Sequence, residues 1–334
     1  MAEWTNAAVL KTAEVQASVG SNPTPSAIQS RVADRRAPVP GESLPKGRTT
    51  TNALLEVPIT FDVGGEVTHA PMVEATVGGT RTKLIVDTGS TDHILTRELA
   101  DMAGLKSEPG EPGTDSNGAS VPSWTLGEVT IQIGDRTFTL RSVVAITGPE
   151  PFADWGIGGI LSPQHLHPTA YVVVDLLDHA LILVEGNAAD VTPWVAARSP
   201  TLHPHSLDRA SRDSTILVHA AIDPFAPVVT MLDTGGKRTE FGASAVPGLR
   251  GDRQGSGGRG VGGGQSFGSE VEDQRLRVGN ATVPVPRLLL RDDIGNAPGL
   301  IGMDILRGTV LMVSADQRRP VIWLLPTRTN VAAE

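Results

Sequence analysis

The tripeptide Asp-Thr-Gly occurs twice in this chain, at Asp87-Thr88-Gly89 and Asp233-Thr234-Gly235. Each copy ends an apolar run, Leu84-Ile85-Val86 in the first case and Val228-Val229-Thr230-Met231-Leu232 in the second. One copy would read as a strand-end turn, because Asp and Gly are common turn residues. Two copies 146 residues apart (233 − 87) in a chain of 334 constrain the fold much further. They predict two similar halves, each delivering one carboxylate to a shared site.

The repeat extends beyond the tripeptides. Residues 54–61 alternate as a half-buried strand, and order is expected to begin there. Residues 71–77, the pair Gly78-Gly79 and residues 82–86 predict a β-hairpin whose second arm ends at Asp87. Residues 96–102 predict a short helix closed by Gly104. The second half replays this order with a strand at 215–222, a turn at 223–227 and a strand at 228–232 that ends at Asp233. Further on, Gly159-Ile160-Leu161-Ser162-Pro163-Gln164-His165-Leu166 aligns with Gly299-Leu300-Ile301-Gly302-Met303-Asp304-Ile305-Leu306. These segments start 72 (159 − 87) and 66 (299 − 233) residues after their aspartates. A strand–turn–strand follows each, at 171–174 and 181–184 and again at 309–313 and 321–325. Four features in one order predict an internal duplication. Its boundary is expected in the polar stretch 198–212. The expected organisation is a leader, linker or pro-segment at 1–55, a first lobe at 56–198 carrying Asp87, and a second at 199–334 carrying Asp233.

Composition narrows the function classes. The chain holds 37 Gly and 25 Pro among short Val/Ile/Thr/Leu runs, which favours β-structure with frequent turns. A formal net charge of −9 argues against nucleic acid or an anionic membrane as partner. With no cysteine, disulfides, thiolate nucleophiles and zinc–thiolate sites are excluded. No run approaches the ~18 apolar residues of a membrane span, and the first residues lack the basic and apolar regions of a signal peptide. The compartment stays open between the cytoplasm and export to the periplasm or exterior with the signal peptide absent from the sequence as given, and the polar leader slightly favours export.

The motifs LIVDTGS (84–90) and GLIGMDIL (299–306) resemble the clan of aspartic peptidases that includes the pepsins and the retroviral peptidases. The resemblance covers roughly residues 56–326. It implies an all-β, bilobed, pepsin-like acid protease fold, built from two homologous β-barrel-like lobes with a cleft between them. The second half is more similar to the retroviral form. The implied protein is thus a single chain of bacterial type with two retropepsin-like lobes, acting as a monomer. Asp87 and Asp233 would be the catalytic pair, and Thr88 and Thr234 would hydrogen-bond across the interface.

The chemistry also follows from the residues. Two carboxylates within hydrogen-bond distance cannot both ionise cheaply and hold one proton between them; aspartic peptidases are the standard worked case of this effect. The ionised member can take a proton from a trapped water while the protonated member polarises a scissile carbonyl. No cofactor or metal is called for. Gly89 and Gly235 would let backbone N–H groups approach the carboxylates. Ser90 could bond the outer oxygen of Asp87, whereas the second half has Gly236 in its place, so the two carboxylates are expected to be unequal. A second departure is Ser162 opposite Gly302. Covers over the cleft are expected at 110–124 and 251–268, with Trp124 either lining the cleft or in the core. The sole tyrosine, Tyr171, lies outside both. The glycine run 255–268 lacks the Gly-Lys-Ser/Thr ending of a phosphate loop and reads as a mobile loop. His165, His167, His203 and His205 read as loop histidines rather than metal ligands. The expected function is an aspartic endopeptidase acting on a peptide or protein substrate. The alternatives are a catalytically weak or inactive peptide-binding protein of the same fold and a narrow processing peptidase.

Overall fold

The computed structural model describes residues 9–10, 53–63, 65–115, 117–207, 215–292, 297–314 and 320–324. The expected leader lies outside the described residues except at 9–10 and 53–55. The first half runs β1 (Val9–Leu10), β2 (Ala53–Pro58), β3 (Thr60–Val63), β4 (Glu66–Val77), β5 (Thr80–Val86), β6 (His93–Thr96) and α1 (Arg97–Met102). It continues through β7 (Glu108–Pro109), β8 (Gly113–Asp115), β9 (Ser120–Val121), β10 (Ser123–Ile133), β11 (Arg136–Ile146) and α2 (Glu150–Trp155). Then come β12 (Ile157–Leu161), β13 (Tyr171–Asp175), β14 (Ala180–Val184) and α3 (Ala188–Arg198). The second half runs β15 (His203–Ser206), β16 (Leu217–Ile222), β17 (Val228–Leu232), β18 (Glu240–Gly242), β19 (Arg253–Arg259), β20 (Gln265–Val278) and β21 (Ala281–Arg291). It ends with β22 (Gly299–Ile301), α4 (Met303–Leu306), β23 (Val310–Ser314) and β24 (Val321–Leu324).

Each half closes a sheet on itself. In the first, β4-β5-β12-β6-β11-β10 are hydrogen-bonded in that order, and β10 returns to β4 through Ile131↔Val77 and Gln132↔Thr76. In the second, β16-β17-β22-β18-β21-β20 repeat the ring, and β20 returns to β16. The two barrels match strand for strand, as the duplication predicts. Closure removes the open edges that a sheet otherwise exposes. Period-two alternation fills the interior: along β10, Val129, Ile131 and Ile133 are buried while Glu128, Thr130 and Gln132 are exposed.

Local signals explain the connections. Gly78 and Gly79 both take positive φ, +54° and +85°, the mirror-image turn that matches the twist of the β4–β5 hairpin. Thr96 caps α1 by accepting from the Leu99 N–H at 3.2 Å, and Gly104 follows the helix with φ +66°. One expectation needs correcting. Residues 54–61 do not form a single strand but split at Pro58 into β2 and β3, which join different sheets. The Ile59 N–H is diverted to the His179 carbonyl at 2.8 Å, turning the chain out of register.

The lobes are joined by a six-stranded sheet, β15-β24-β23-β13-β14-β2, with strands from both halves. At its centre β13 and β23 run antiparallel, from Tyr171↔Ser314 to Asp175↔Val310. Both faces are apolar and buried. Tyr171, Val173, Met312 and Trp323 pack with Val191 and Val195 of α3, while Val172, Val174, Leu311 and Val313 face the main core. Continuous burial explains why these strands read as unbroken hydrophobic runs. His203 and His205 prove to be strand residues of β15, opposite Leu324 and Ile322, rather than loop residues. Trp124 is neither core nor solvent-free: it is half-buried, with the Arg97 guanidinium 4.3 Å from its ring centroid. No helix among the described residues is long and apolar enough to cross a membrane.

Candidate active site

Both Asp-Thr-Gly loops leave their barrels at equivalent points. β5 and β17 each end one residue before the aspartate, and each is paired in parallel with the glycine-apolar segment, β12 or β22. The next backbone bonds repeat as well. Asp87 N–H donates to the Leu161 carbonyl at 2.9 Å, and Asp233 N–H to the Ile301 carbonyl at 3.0 Å. Asp87, Thr88, Asp233 and Thr234 are fully buried.

The threonines join the loops through reciprocal bonds. Thr88 N–H donates to Thr234 Oγ1 and Thr234 N–H to Thr88 Oγ1, both at 3.1 Å. Each hydroxyl then donates to the carbonyl preceding the opposite aspartate, Thr88 to Leu232 at 2.8 Å and Thr234 to Val86 at 2.6 Å. The loops therefore face one another under a pseudo-twofold relation.

The expected approach of a backbone N–H to the carboxylate holds at Gly89 and moves one residue on in the second loop. Gly89 N–H donates to Asp87 Oδ1 at 2.7 Å, but in the second loop it is Gly236 that donates to Asp233 Oδ1, also at 2.7 Å. What Gly89 and Gly235 share is proximity across the lobes. A Cβ on Gly235 would fall 2.5 Å from Asp87 Oδ2, and one on Gly89 2.8 Å from Asp233 Cγ. Each glycine thus makes room for the other lobe's carboxylate. Gly236 is similarly confined, since a Cβ there would meet Asp233 Oδ2 at 2.9 Å and Leu300 Cδ2 at 3.2 Å. The Ser90 hydroxyl, expected at the outer oxygen of Asp87, instead donates to the Asp92 carbonyl at 2.8 Å. His69 of β4 reaches across as well, with Nε2 3.3 Å from the Gly235 carbonyl.

Beneath the loops lie supports that the tripeptides did not reveal. In the first lobe Ser162 Oγ and Gln164 Nε2 both donate to the Ser90 carbonyl at 2.9 Å, and Ser162 N–H donates to His93 Nδ1 at 3.2 Å. The second lobe uses other groups. Gly302 N–H donates to Thr239 Oγ1 at 3.3 Å, Thr239 Oγ1 to Asp304 Oδ1 at 2.8 Å, and Met303 N–H to the Gly236 carbonyl at 2.8 Å. Superposing the duplicated segments would have found them, since His93 aligns with Thr239, six residues past each aspartate, and Gln164 with Asp304.

These supports tilt the pH response. Burial pushes the His93 imidazole down from 6.5 to about 4, against a backbone hydrogen bond at His165 that favours the charged ring. Burial pushes the Asp304 carboxyl up, against hydrogen bonds with Thr239 and the Arg238 charge. A depressed histidine favours the unfolded chain once that chain protonates. Its contribution is therefore intact above about pH 6.5 and is lost as pH falls towards 4. Full loss corresponds to about 3 kcal/mol. Asp304 acts in the opposite sense, its contribution being lost as pH rises. Urea midpoints measured between pH 7 and 4.5 should fall less in His93→Asn than in the wild type. Parallel falls in both proteins would remove His93 as the source.

Two closed six-stranded barrels presenting facing Asp-Thr-Gly loops define the architecture of an aspartic peptidase. Residues 73–162, which include the first loop, match the aspartyl protease family. An aspartic proteinase from Irpex lacteus, known from its crystal structure, is among the similar solved structures. It is 14% identical over 84% of this chain and 99% of that one, with a TM-score of 0.46. No curated protein matches the sequence at a significant level.

Proposed function

We propose that this chain is an aspartic endopeptidase in which Asp87 and Asp233 share one proton and activate one water. The observation that carries the reading is the reciprocal threonine ring, with each glycine yielding space to the opposite carboxylate. That arrangement holds the two acids against each other, which a site made only for gripping peptides does not require.

In the proposed reaction the ionised carboxylate accepts a proton from the water between the pair. The protonated carboxylate donates a hydrogen bond to the scissile carbonyl, and the water oxygen adds to its carbon. The tetrahedral intermediate collapses as a proton passes to the amide nitrogen, releasing one amine and one carboxylic acid. Loop rigidity matters because the carboxylates must not move apart as charge shifts between them. Gly89 and Gly236 N–H groups donate to the Oδ1 atoms and fix the orientation of each carboxylate. Both aspartates sit on one chain, so the proposed active unit is a monomer.

The test is incubation with a mixed peptide pool from acid to neutral pH, with termini of the products identified by mass spectrometry. Cleavage within peptides, absent in Asp87→Asn and Asp233→Asn, is the expected result. Cleavage that survives either substitution sinks the paired mechanism. Peptide retention without cleavage in any sample would instead establish a binding protein.

A further inference from the structure

The β4–β5 hairpin projects beyond its neighbour strand. β12 begins at Ile157, opposite Lys83, so among the described residues no strand pairs with Thr80, Arg81 or Thr82 on that side. Lys83 N–H donates to the Gly156 carbonyl at 3.0 Å. By the two-residue period of a strand, the Arg81 N–H and C=O turn the same way. They face a cavity of about 330 Å³ that Thr80, Arg81 and Thr82 line together with residues of α1 and α2. The hairpin tip is held against the end of α1, since a Cβ on Gly78 would come 2.6 Å from that of Ala103.

The cavity is apolar inside. Leu99, Phe152 and Ile157 line it as buried side chains, and Met102 lines it while 67% exposed, so apolar surface runs from the cavity to solvent. Methionine suits a surface that repacks around its partner. Charge then selects the occupant. Glu98 and Glu150 also line the cavity, and neither makes an ion pair among the described residues. Asp101 and Asp154 add two more exposed carboxylates on α1 and α2. The neighbouring cations are engaged elsewhere, Arg81 with Glu74 at 2.8 Å, Lys83 with the Asp62 carbonyl at 2.9 Å and Arg97 over Trp124. First-turn acids also suit helix termini, but that leaves the cavity and the open strand edge unexplained.

We propose that this notch is a second binding site, which takes an extended peptide segment carrying basic residues beside an apolar one. Main-chain bonds to Arg81 extend the sheet by one short strand. The apolar side chain fills the cavity, and a lysine or arginine next to it meets Glu98 or Glu150. Arg81 lies six residues before Asp87 (87 − 81), about 20 Å along one strand, so the site is separate from the acid pair. Binding there stands without the peptidase reading. Its consequence, recruitment of protein substrates that carry such a segment away from the scissile bond, rests on that reading.

The test is NMR of the Asp87→Asn chain with methyl-labelled methionines, the Met102 signal being assigned by Met102→Leu. The end-blocked probe Lys-Leu-Lys-Leu-Lys should move that signal saturably, with a Kd below about 1 mM. Glu-Leu-Glu-Leu-Glu and Lys-Ser-Lys-Ser-Lys should each bind about tenfold more weakly or worse. Glu98→Gln with Glu150→Gln should weaken the first probe about threefold to tenfold, as expected for two exposed ion pairs. Arg81→Pro removes the edge N–H that Arg81→Ala keeps, and should bind at least about fivefold more weakly than the alanine variant. An unmoved Met102 signal, or equal affinity for the acidic probe, overturns the site. Equal affinity of the two Arg81 variants overturns strand addition. In the active chain, a substrate bearing Lys-Leu-Lys-Leu-Lys about eight residues from its scissile bond should show a KM about tenfold below that of its Lys-Ser-Lys-Ser-Lys counterpart, with kcat unchanged. Equal KM values would overturn recruitment. A chain that binds the first probe yet cleaves nothing would keep the site and remove the peptidase reading.

Discussion

Asp87→Asn and Asp233→Asn are each expected to lower kcat/KM by about 10³-fold or more, with little change in urea midpoint. The estimate follows from the range for general acid–base catalysis, about 10² to 10⁴, applied to a site where one residue serves as base and its partner as acid. The substitution is nearly isosteric, and the Asn carbonyl oxygen can still accept the Gly89 or Gly236 N–H that now lies 2.7 Å from each Oδ1. The loop therefore keeps its shape while the shared proton is lost. Residues that act as one unit are non-additive, so the double variant should be no slower than either single one. Additive losses would mean that the two carboxylates work separately. Both variants should still retain peptides, because the threonine ring and the covers are untouched.

Much of this site was legible because the chain states it twice. The apolar runs before Asp87 and Asp233, the glycine-apolar segments and the strand–turn–strand units recur in order, and barrels equivalent strand for strand follow from them. The two segments expected as covers contact one another through Asp115 and Asn117. What sequence did not show is partnership. A period-two pattern in residues 54–61 says which side chains are buried but not that Pro58 ends one strand and Thr60 begins another in a different sheet. Ser90 has several acceptors within reach, and the hydroxyl goes to the nearby Asp92 carbonyl. Gly235 read as space for an N–H, yet what presses on it is Asp87, 148 residues away (235 − 87). Contacts of that kind depend on how two lobes dock, and no local propensity carries that information. The glycine loop at 255–268 was ambiguous for the same reason: its glycines answer to Asp115 and Asn117 of the other lobe.

The asymmetry between the halves has the same origin. The two loops share their main hydrogen bonds, but their supports diverge: Ser162, Gln164 and a neutral His93 in one, Gly302, Thr239 and Asp304 in the other. The barrels share one strand order, while the side chains that buttress each aspartate differ. The unequal environments expected from Ser90 and Gly236 therefore lie deeper than those two residues.

Thr234→Val and Thr88→Val are each expected to cost about 3 kcal/mol of stability, a large share of the roughly 5–15 kcal/mol typical of a folded protein. Valine fills the same volume, so the loss is not a cavity effect. Removing the Thr234 hydroxyl leaves the Thr88 N–H and the Val86 carbonyl without their cross-lobe partners, and removing the Thr88 hydroxyl does the same to the Thr234 N–H and the Leu232 carbonyl. An unsatisfied buried group costs about 1–3 kcal/mol. The two substitutions break different bonds of one ring, so their combination is informative. If the ring acts as a unit, the second substitution should cost less than the first, because the lobes have already shifted apart. Activity should fall alongside stability, since each loop carries one carboxylate and the pair must stay in contact to share a proton. Thr88→Ser and Thr234→Ser keep the hydroxyl and should restore most of both. Urea unfolding and kcat on the same samples decide the matter. Val variants as stable and as fast as wild type would show that the barrels and the joining sheet hold the aspartates together without the threonines.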